Sequence, residues 1–194
     1  DSLDISLDAG NGPTDANGST SPLAEFDLNN TADALQVDGV SYTFPVGDSI
    51  TAIVGDNTDG SALFTTACVY GGPSNTLDDC GNVNAGITNG GAMVGASYDF
   101  GTGFTIAGGY AAGETDMATG LMTKETLDAY GVNAAYTGDN FGFSVTYGLV
   151  ETSSADEDTF TAFNGYYSAD GFASISVGYE IGEDGSVTDK TADE

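Results

Sequence analysis

The stretch Phe141-Gly-Phe-Ser-Val-Thr-Tyr147 alternates large apolar residues with small or polar ones. Successive side chains of a β-strand point to opposite faces of the sheet, so Phe141, Phe143, Val145 and Tyr147 share one face. The other face carries only Gly, Ser and Thr. The pattern predicts a strand with one large apolar face and one small polar face.

Three hairpins of this kind follow one another between Gly91 and Gly182. Their tight turns, Gly101–Gly103, Thr137–Asn140 and Ala169–Gly171, contain the Gly, Asn and Asp residues that hairpin turns require. The predicted strand pairs are Met93–Phe100 with Phe104–Tyr110, Val132–Tyr136 with Phe141–Tyr147, and Phe163–Tyr167 with Phe172–Tyr179.

The pattern also continues towards the N-terminus, where Ser2–Leu7, Leu35–Phe44 and Ser49–Val54 alternate in the same way. The total is about nine strands. We therefore predict an all-β fold of antiparallel up-and-down β-hairpins that forms part of a transmembrane β-barrel. Residues 1–194 are interpreted as a single partial barrel domain.

The composition of the small polar face favours a barrel lumen over a soluble sandwich, which commonly presents Lys, Glu, Arg and Thr to water. Here the face carries mainly Gly, Ser, Thr, Ala and Asn. For Asp99 and Glu180 an equally good interpretation is a position at a strand end in water. The candidate lumen-lining residues are Asp99, Asp128, Asn133, Ser144, Thr146, Ser174, Ser176 and Glu180.

Tyrosines recur at the ends of the predicted strands, three of them just before a tight turn and three at the close of a returning strand. Aromatic girdles at the two membrane interfaces are typical of outer-membrane barrels. A Tyr-rich strand composition without any membrane is the alternative. The candidate girdle residues are Tyr98, Tyr136 and Tyr167 on one side, and Tyr110, Tyr147 and Tyr179 on the other.

The charge balance excludes several kinds of partner and chemistry. The chain has thirty acidic residues, two basic residues, Lys124 and Lys190, and no His, so the net charge is −28. Such a chain repels nucleic acid and anionic ligands. It also lacks the residues of a His-based catalytic triad or an imidazole metal site, so we do not expect an enzyme. The acidity predicts a preference for cations in transit, although a saline habitat would produce the same bias.

Cys68 and Cys80 lie in a stretch rich in Gly, Pro and Asn, within a long connection of residues 55–90. The alternation of short and long connections predicts that this one is external. We favour a disulfide between the two cysteines, which implies an oxidising, exported location; two unrelated thiols are the alternative.

The same connection contains an oxygen-rich segment, with Asp56, Asn57 and Asp59 as candidate metal ligands. It lacks the spacing of a calcium loop, so an acidic turn is the better interpretation. We expect no cofactor, and Ca²⁺ in the acidic loops is left open.

The segment Val40-Ser-Tyr-Thr-Phe-Pro-Val-Gly-Asp-Ser-Ile-Thr-Ala-Ile-Val-Gly55 resembles a stretch typical of cyanobacterial outer-membrane porins, which carry an N-terminal surface-layer-homology domain and a carbohydrate-porin-like barrel. Residues 91–110 resemble that family more loosely. The resemblance implies a bacterial outer-membrane location, contact with lipid, a homotrimer of barrels with about sixteen strands, and passage of small solutes and inorganic ions. The chain departs from the family in having no N-terminal wall-binding domain, about half of the strands, and no aromatic C-terminal strand.

Two further classes of protein compete with the porin hypothesis. A secreted, acidic, β-rich surface or fibre protein at the extracellular surface would have the same loops, disulfide and charge. A calcium-dependent carbohydrate-binding sandwich is the third class, and the absence of Trp counts against it.

Overall fold

The computed structural model describes residues 1–8, 35–69, 80, 84–87, 91–113, 127–151, 156–169, 171 and 173–185. These residues contain nine strands. They are β1 (Ser2–Asp8), β2 (Gln36–Val46), β3 (Ile50–Asp56), β4 (Ala92–Asp99), β5 (Phe104–Ala112), β6 (Asp128–Thr137), β7 (Phe141–Glu151), β8 (Glu157–Tyr167) and β9 (Ile175–Glu183).

The strands form one sheet in which spatial order follows chain order, β1 to β9, and each neighbouring pair is antiparallel. This confirms the predicted all-β, up-and-down arrangement and its number of strands. The sheet is open, with β1 and β9 at its two edges. No helix among the described residues is long and apolar enough to span a membrane.

Several strands are longer than their alternation predicted. β6 begins at Asp128 and β8 at Glu157, because the ladders continue through pairs such as Tyr130 with Leu149, and Leu149 with Thr159. The acidic segment Glu151–Asp158, whose composition predicts a long connection, is a shorter connection than expected, because Glu151 ends β7 and Glu157 and Asp158 belong to β8. Segments with charged and β-branched polar residues lack apolar alternation, so the pattern does not predict them as strands. Their backbones nevertheless pair normally.

The first hairpin also differs from the prediction, because Pro45 and Val46 lie in β2 and not in the turn. The turn begins at Gly47, whose φ of 76° is a conformation that glycine adopts without steric cost.

Register assigns each strand residue to one of two faces. The large-residue face carries the apolar side chains of the alternating pattern, for example Val54, Val94, Tyr110 and Tyr130, which are aligned across β3 to β6. The small-residue face carries the intervening positions. Its central row consists of four aligned glycines, one from each of β4, β5, β6 and β7: Gly95, Gly109, Gly131 and Gly148.

Candidate functional site

The connection between β3 and β4, here named the disulfide loop (residues 57–91), folds back across the small-residue face. Its closest approach is at the glycine row. A Cβ atom on Gly109 would overlap the carbonyl oxygen of Gly60, and one on Gly131 would come within 3.3 Å of Ile87 Cδ1 and Phe64 Cε2. The four glycines therefore form a groove in which the backbone of the loop lies.

Apolar side chains of the disulfide loop fill the space above this groove. Ile87 is fully buried and packs with Ile53 and Met93 of the neighbouring strands. Leu63 and Phe64 pack against the same cluster. The buried core thus lies between the loop and the small-residue face of the sheet.

The outgoing arm of the loop is held by side chains of three strands. The Thr65 N–H donates to Asn133 Oδ1 at 2.9 Å, and Asn133 Nδ2 donates back to the Thr65 carbonyl at 3.1 Å. Further along, the Ala67 N–H donates to Ser144 Oγ at 2.9 Å, and the Val69 N–H donates to Ser176 Oγ at 3.0 Å. The arm therefore crosses from β6 through β7 to the edge strand β9.

The returning arm is held by two side chains of β8 and β9. Asn164 Nδ2 donates to the Cys80 carbonyl at 2.8 Å. The Glu180 carboxylate accepts the N–H of Asn84 at 2.9 Å, the Asn84 side-chain amide at 2.8 Å, and the N–H of Ala85 at 3.0 Å. Several donors that converge on one carboxylate anchor the loop firmly, because hydrogen bonds to an ionised group are stronger than those between neutral groups.

The two arms are also joined to each other. Cys68 and Cys80 lie at disulfide distance, with Cα atoms 6.3 Å apart, as we predicted from the sequence. Nearer the hairpin, the Gly60 N–H donates to the Ile87 carbonyl at 2.8 Å. The described parts of the loop thus form a double strand of polypeptide across the sheet. The prediction that the connection lies outside a membrane stays a prediction.

Five of the eight candidate lumen residues lie at the contact between sheet and loop. Asn133, Ser144 and Thr146 are buried at 3%, 1% and 0% exposure. Thr146 Oγ1 accepts a hydrogen bond from Asn133 Nδ2 at 2.8 Å. Ser176 and Glu180 are the other two, and both bond the loop. The loop therefore engages side chains that we expected from the sequence to line a solute path.

The other three candidates are placed elsewhere. Ser174 and Ser168 are 2.7 Å apart through their hydroxyl oxygens. The Asp99 carboxylate accepts the Gly101 N–H at 2.7 Å and caps the tight turn. Asp128 lies on the opposite face of β6 from Asn133, which is the large-residue face that also carries Tyr130. It accepts a hydrogen bond from the Tyr110 hydroxyl at 2.7 Å.

The six candidate girdle tyrosines all lie on the large-residue face, in two inclined lines. Along the first line, Tyr136 lies two residues closer to the short turns than the position aligned with Tyr98, and Tyr167 lies two residues closer again. The second line shows the same offset. Each line shifts by two residues for every two strands. At about 3.3 Å per residue and about 4.8 Å per strand, both lines are inclined by about 35° to the direction perpendicular to the strands. The second line is Tyr110, Tyr147 and Tyr179.

Of the three candidate metal ligands, Asp59 makes local turn contacts, Asn57 bonds a residue of β2, and Asp56 is the last residue of β3. Asp59 Oδ1 accepts the N–H and the hydroxyl of Ser61 at 2.8 and 2.6 Å. Asn57 Nδ2 donates to the Asp38 carbonyl. In the described part of the chain, no three His, Cys, Asp or Glu side chains are grouped as a metal site requires. The contacts of Asp59 with Ser61 are those of a turn.

Sequence reasoning missed several residues that matter here. Asn164 was not among the candidates, although a lone amide at a small-residue position of a strand is a usable signal of a buried hydrogen-bond anchor. The glycine row was also missed, because its alignment depends on the register of four strands. No protein-family model matches the chain, and no curated protein matches it.

Proposed function

We propose that this chain is a segment of a bacterial outer-membrane porin that allows passive diffusion of small solutes and inorganic ions. One observation carries the proposal: the burial of the sheet is inverted relative to a soluble protein. Large apolar side chains such as Val132 (57% exposed), Phe141 (50%) and Val177 (67%) are open, while Ser144, Thr146 and Asn164 are buried. An apolar surface of this extent requires an apolar neighbour, and lipid is one.

The dimensions of the large-residue face support lipid as that neighbour. On β7 the apolar positions run from Phe141 to Leu149, about 26 Å along the strand. Corrected for the inclination of about 35°, this height is about 22 Å, close to the apolar band of about 25 Å on outer-membrane barrels. The inclination also falls in the range of strand tilt, about 35–45°, that barrels require.

The aromatic side chains fit the same proposal. Near the short turns, the rings of Phe104 and Tyr136 are 4.7 Å apart between centroids, and those of Tyr136 and Phe141 are 5.2 Å apart. Along any one strand the two inclined tyrosine lines are about five residues apart, about 16.5 Å, which corresponds to about 13.5 Å in height after correction for the inclination. Phenylalanines on the short-turn side extend the aromatic border beyond the tyrosines. Such borders suit the headgroup region of a membrane.

Strand direction restricts how a barrel could close. β1 and β9 are both odd-numbered in an antiparallel sheet and therefore run in the same direction. Antiparallel closure consequently requires an odd number of additional strands between them. The number implied by the resemblance, about sixteen in all, meets this condition. A trimer of such barrels in lipid is part of the proposal.

In a closed barrel the small-residue face would be the lumen, and the disulfide loop would narrow it. The charge of the chain suits cations, because carboxylates outnumber basic residues by 30 to 2. Both lysines, Lys124 and Lys190, lie outside the described residues.

The first test is the dependence of the chain on detergent. A lipid-facing sheet is expected to stay monodisperse in mild detergent and to aggregate when detergent is removed, because the large-residue face has then no apolar neighbour. The assembled protein, extracted from its own membrane in mild detergent and inserted into planar lipid bilayers, should give ohmic conductance. In a KCl gradient its reversal potential should be shifted towards the value for a cation-selective channel. A chain that stays monodisperse in plain buffer, or an absence of conductance from the assembled protein, would overturn the proposal.

The open edges favour one alternative, a secreted acidic β-rich protein whose subunits join strand to strand. β1 and β9 each present an unpaired edge in the described sheet, and unpaired edges are templates for further strands. Filaments with a helical repeat in detergent-free buffer, seen by electron microscopy, would support this alternative over the porin.

A further inference from the structure

The disulfide loop covers the small-residue face unevenly. Its contacts with β4 to β9 include the glycine row and the polar anchors, and its first residues, Asn57 and Thr58, also lie against Gly39 of β2 and Gly55 of β3. On β1, in contrast, the small-face residues Ser2, Asp4 and Ser6 are all exposed. The part of this face with free polar surface is therefore the β1 side, opposite the part that the loop occupies.

The acidic side chains differ in the same way between the two parts. Glu180, on the covered side, is half-buried and accepts hydrogen bonds from three N–H donors of the loop. Asp4, on the open side, accepts one hydrogen bond from the Ser2 hydroxyl at 3.0 Å, and its side chain is exposed. A carboxylate in water acts on mobile ions, whereas one enclosed by donors is largely compensated locally.

The neighbours of Asp4 on the small-residue face are polar and short. Register pairs Asp4 with Ser41 of β2 and Ser2 with Thr43. The face next to Asp4 thus offers hydroxyl groups for a hydrated ion and no basic side chain among these neighbours.

We infer that solutes cross along the small-residue face of β1, beside the disulfide loop, and that Asp4 is a residue that sets cation preference there. The inference rests on the proposed porin function. It also reassigns Asn133, Ser144, Ser176 and Glu180 from contact with solutes to anchorage of the loop.

The test is the permeability ratio of cation to anion, measured from reversal potentials in a KCl gradient. The protein is taken as it is assembled in its membrane, extracted in mild detergent and inserted into planar lipid bilayers. Asp4→Asn should lower the ratio by about twofold or more, and Asp4→Lys should lower it further. The matched control is Asp139→Asn, a charge-neutralising change at an exposed turn between β6 and β7, which should leave the ratio unchanged.

Accessibility gives a second, independent measurement. A cationic methanethiosulfonate reagent should reduce the conductance of Ser6→Cys channels and leave Ser144→Cys channels unaffected, because Ser144 is buried under the loop. If wild-type channels conduct but Asp4→Asn keeps the wild-type ratio, or Ser6→Cys does not react, the path along β1 is wrong. Absence of conductance in the wild-type protein would instead overturn the porin function itself.

Discussion

Asn133 of β6 and Thr65 of the disulfide loop are joined by two hydrogen bonds of opposite direction, at 2.9 and 3.1 Å. The side-chain amide offers one acceptor and one donor, as a backbone peptide does in a β-ladder. A single strand residue thereby pairs with the loop as a neighbouring strand would. Because Asn133 is 3% exposed, water cannot replace either bond.

Replacement of Asn133 by Ala should release this contact. The change removes both bonds and leaves the half-buried N–H and carbonyl of Thr65 without their partner, so we expect a loss of about 1–3 kcal/mol in the free energy of unfolding. Hydrogen exchange at the Thr65 amide should accelerate in the same variant.

Asn140→Ala is the control, since the Asn140 amide bonds the Ser168 carbonyl at an exposed turn. Its cost should stay at about 1 kcal/mol or less, because water can solvate the freed groups. Unchanged exchange at Thr65 in Asn133→Ala would contradict the anchoring role.

The glycine row gives a second prediction, with a control one residue away. A methyl group at Gly109 would overlap the Gly60 carbonyl, whereas one at Gly108 would meet nothing closer than 3.7 Å. Gly109→Ala should therefore displace the loop and cost about 1–3 kcal/mol, while Gly108→Ala should be neutral or slightly stabilising. Denaturant unfolding and protease cleavage in the disulfide loop measure the difference. Equal behaviour of the two variants would mean that the loop does not lie on the glycine row.

The strands were predictable because alternation is a local signal. The seven residues from Phe141 to Tyr147 are enough to distinguish the two faces of the strand, and the turn glycines indicate where each hairpin reverses. The disulfide was predictable in the same way, from two cysteines in one connection. These inferences needed no knowledge of how distant parts of the chain meet.

The position of the loop was not predictable, because it depends on contacts between residues far apart in sequence. Thr65 and Asn133 are separated by 68 positions, and Val69 and Ser176 by 107. A small polar side chain on a strand reads equally well as a lumen residue or as an anchor for buried backbone. Only the register of the sheet shows that Gly95, Gly109, Gly131 and Gly148 form one row under the loop.

Removal of the disulfide should loosen the loop and leave the sheet intact. The bridge closes a segment with a sequence separation of 12, for which the chain-entropy model gives a contribution of about 3 kcal/mol. In the double variant Cys68→Ser, Cys80→Ser, the amides of Ala67 and Val69 should exchange faster, because their hydrogen bonds to Ser144 and Ser176 are then no longer supported by the covalent link to the returning arm. Amides within β6 and β7 serve as the internal control, and their loss of protection would show that the bridge holds the whole sheet.

A lysine on the large-residue face distinguishes lipid from water as its neighbour. Val145, 39% exposed, lies at the middle of the apolar positions of β7, and Val46, 48% exposed, lies beside the turn at Gly47. In a bilayer, Val145→Lys should cost about 2–4 kcal/mol and Val46→Lys about 0–1 kcal/mol, because the penalty for a charge is largest at the midplane. In water the two valines are similarly exposed, so both changes should stay within about 0.5 kcal/mol of the wild type. The free energy of unfolding of both variants is measured in lipid vesicles by far-UV circular dichroism, since the chain has no Trp for fluorescence. Equal and small costs would remove the support that the exposed face gives to the porin hypothesis.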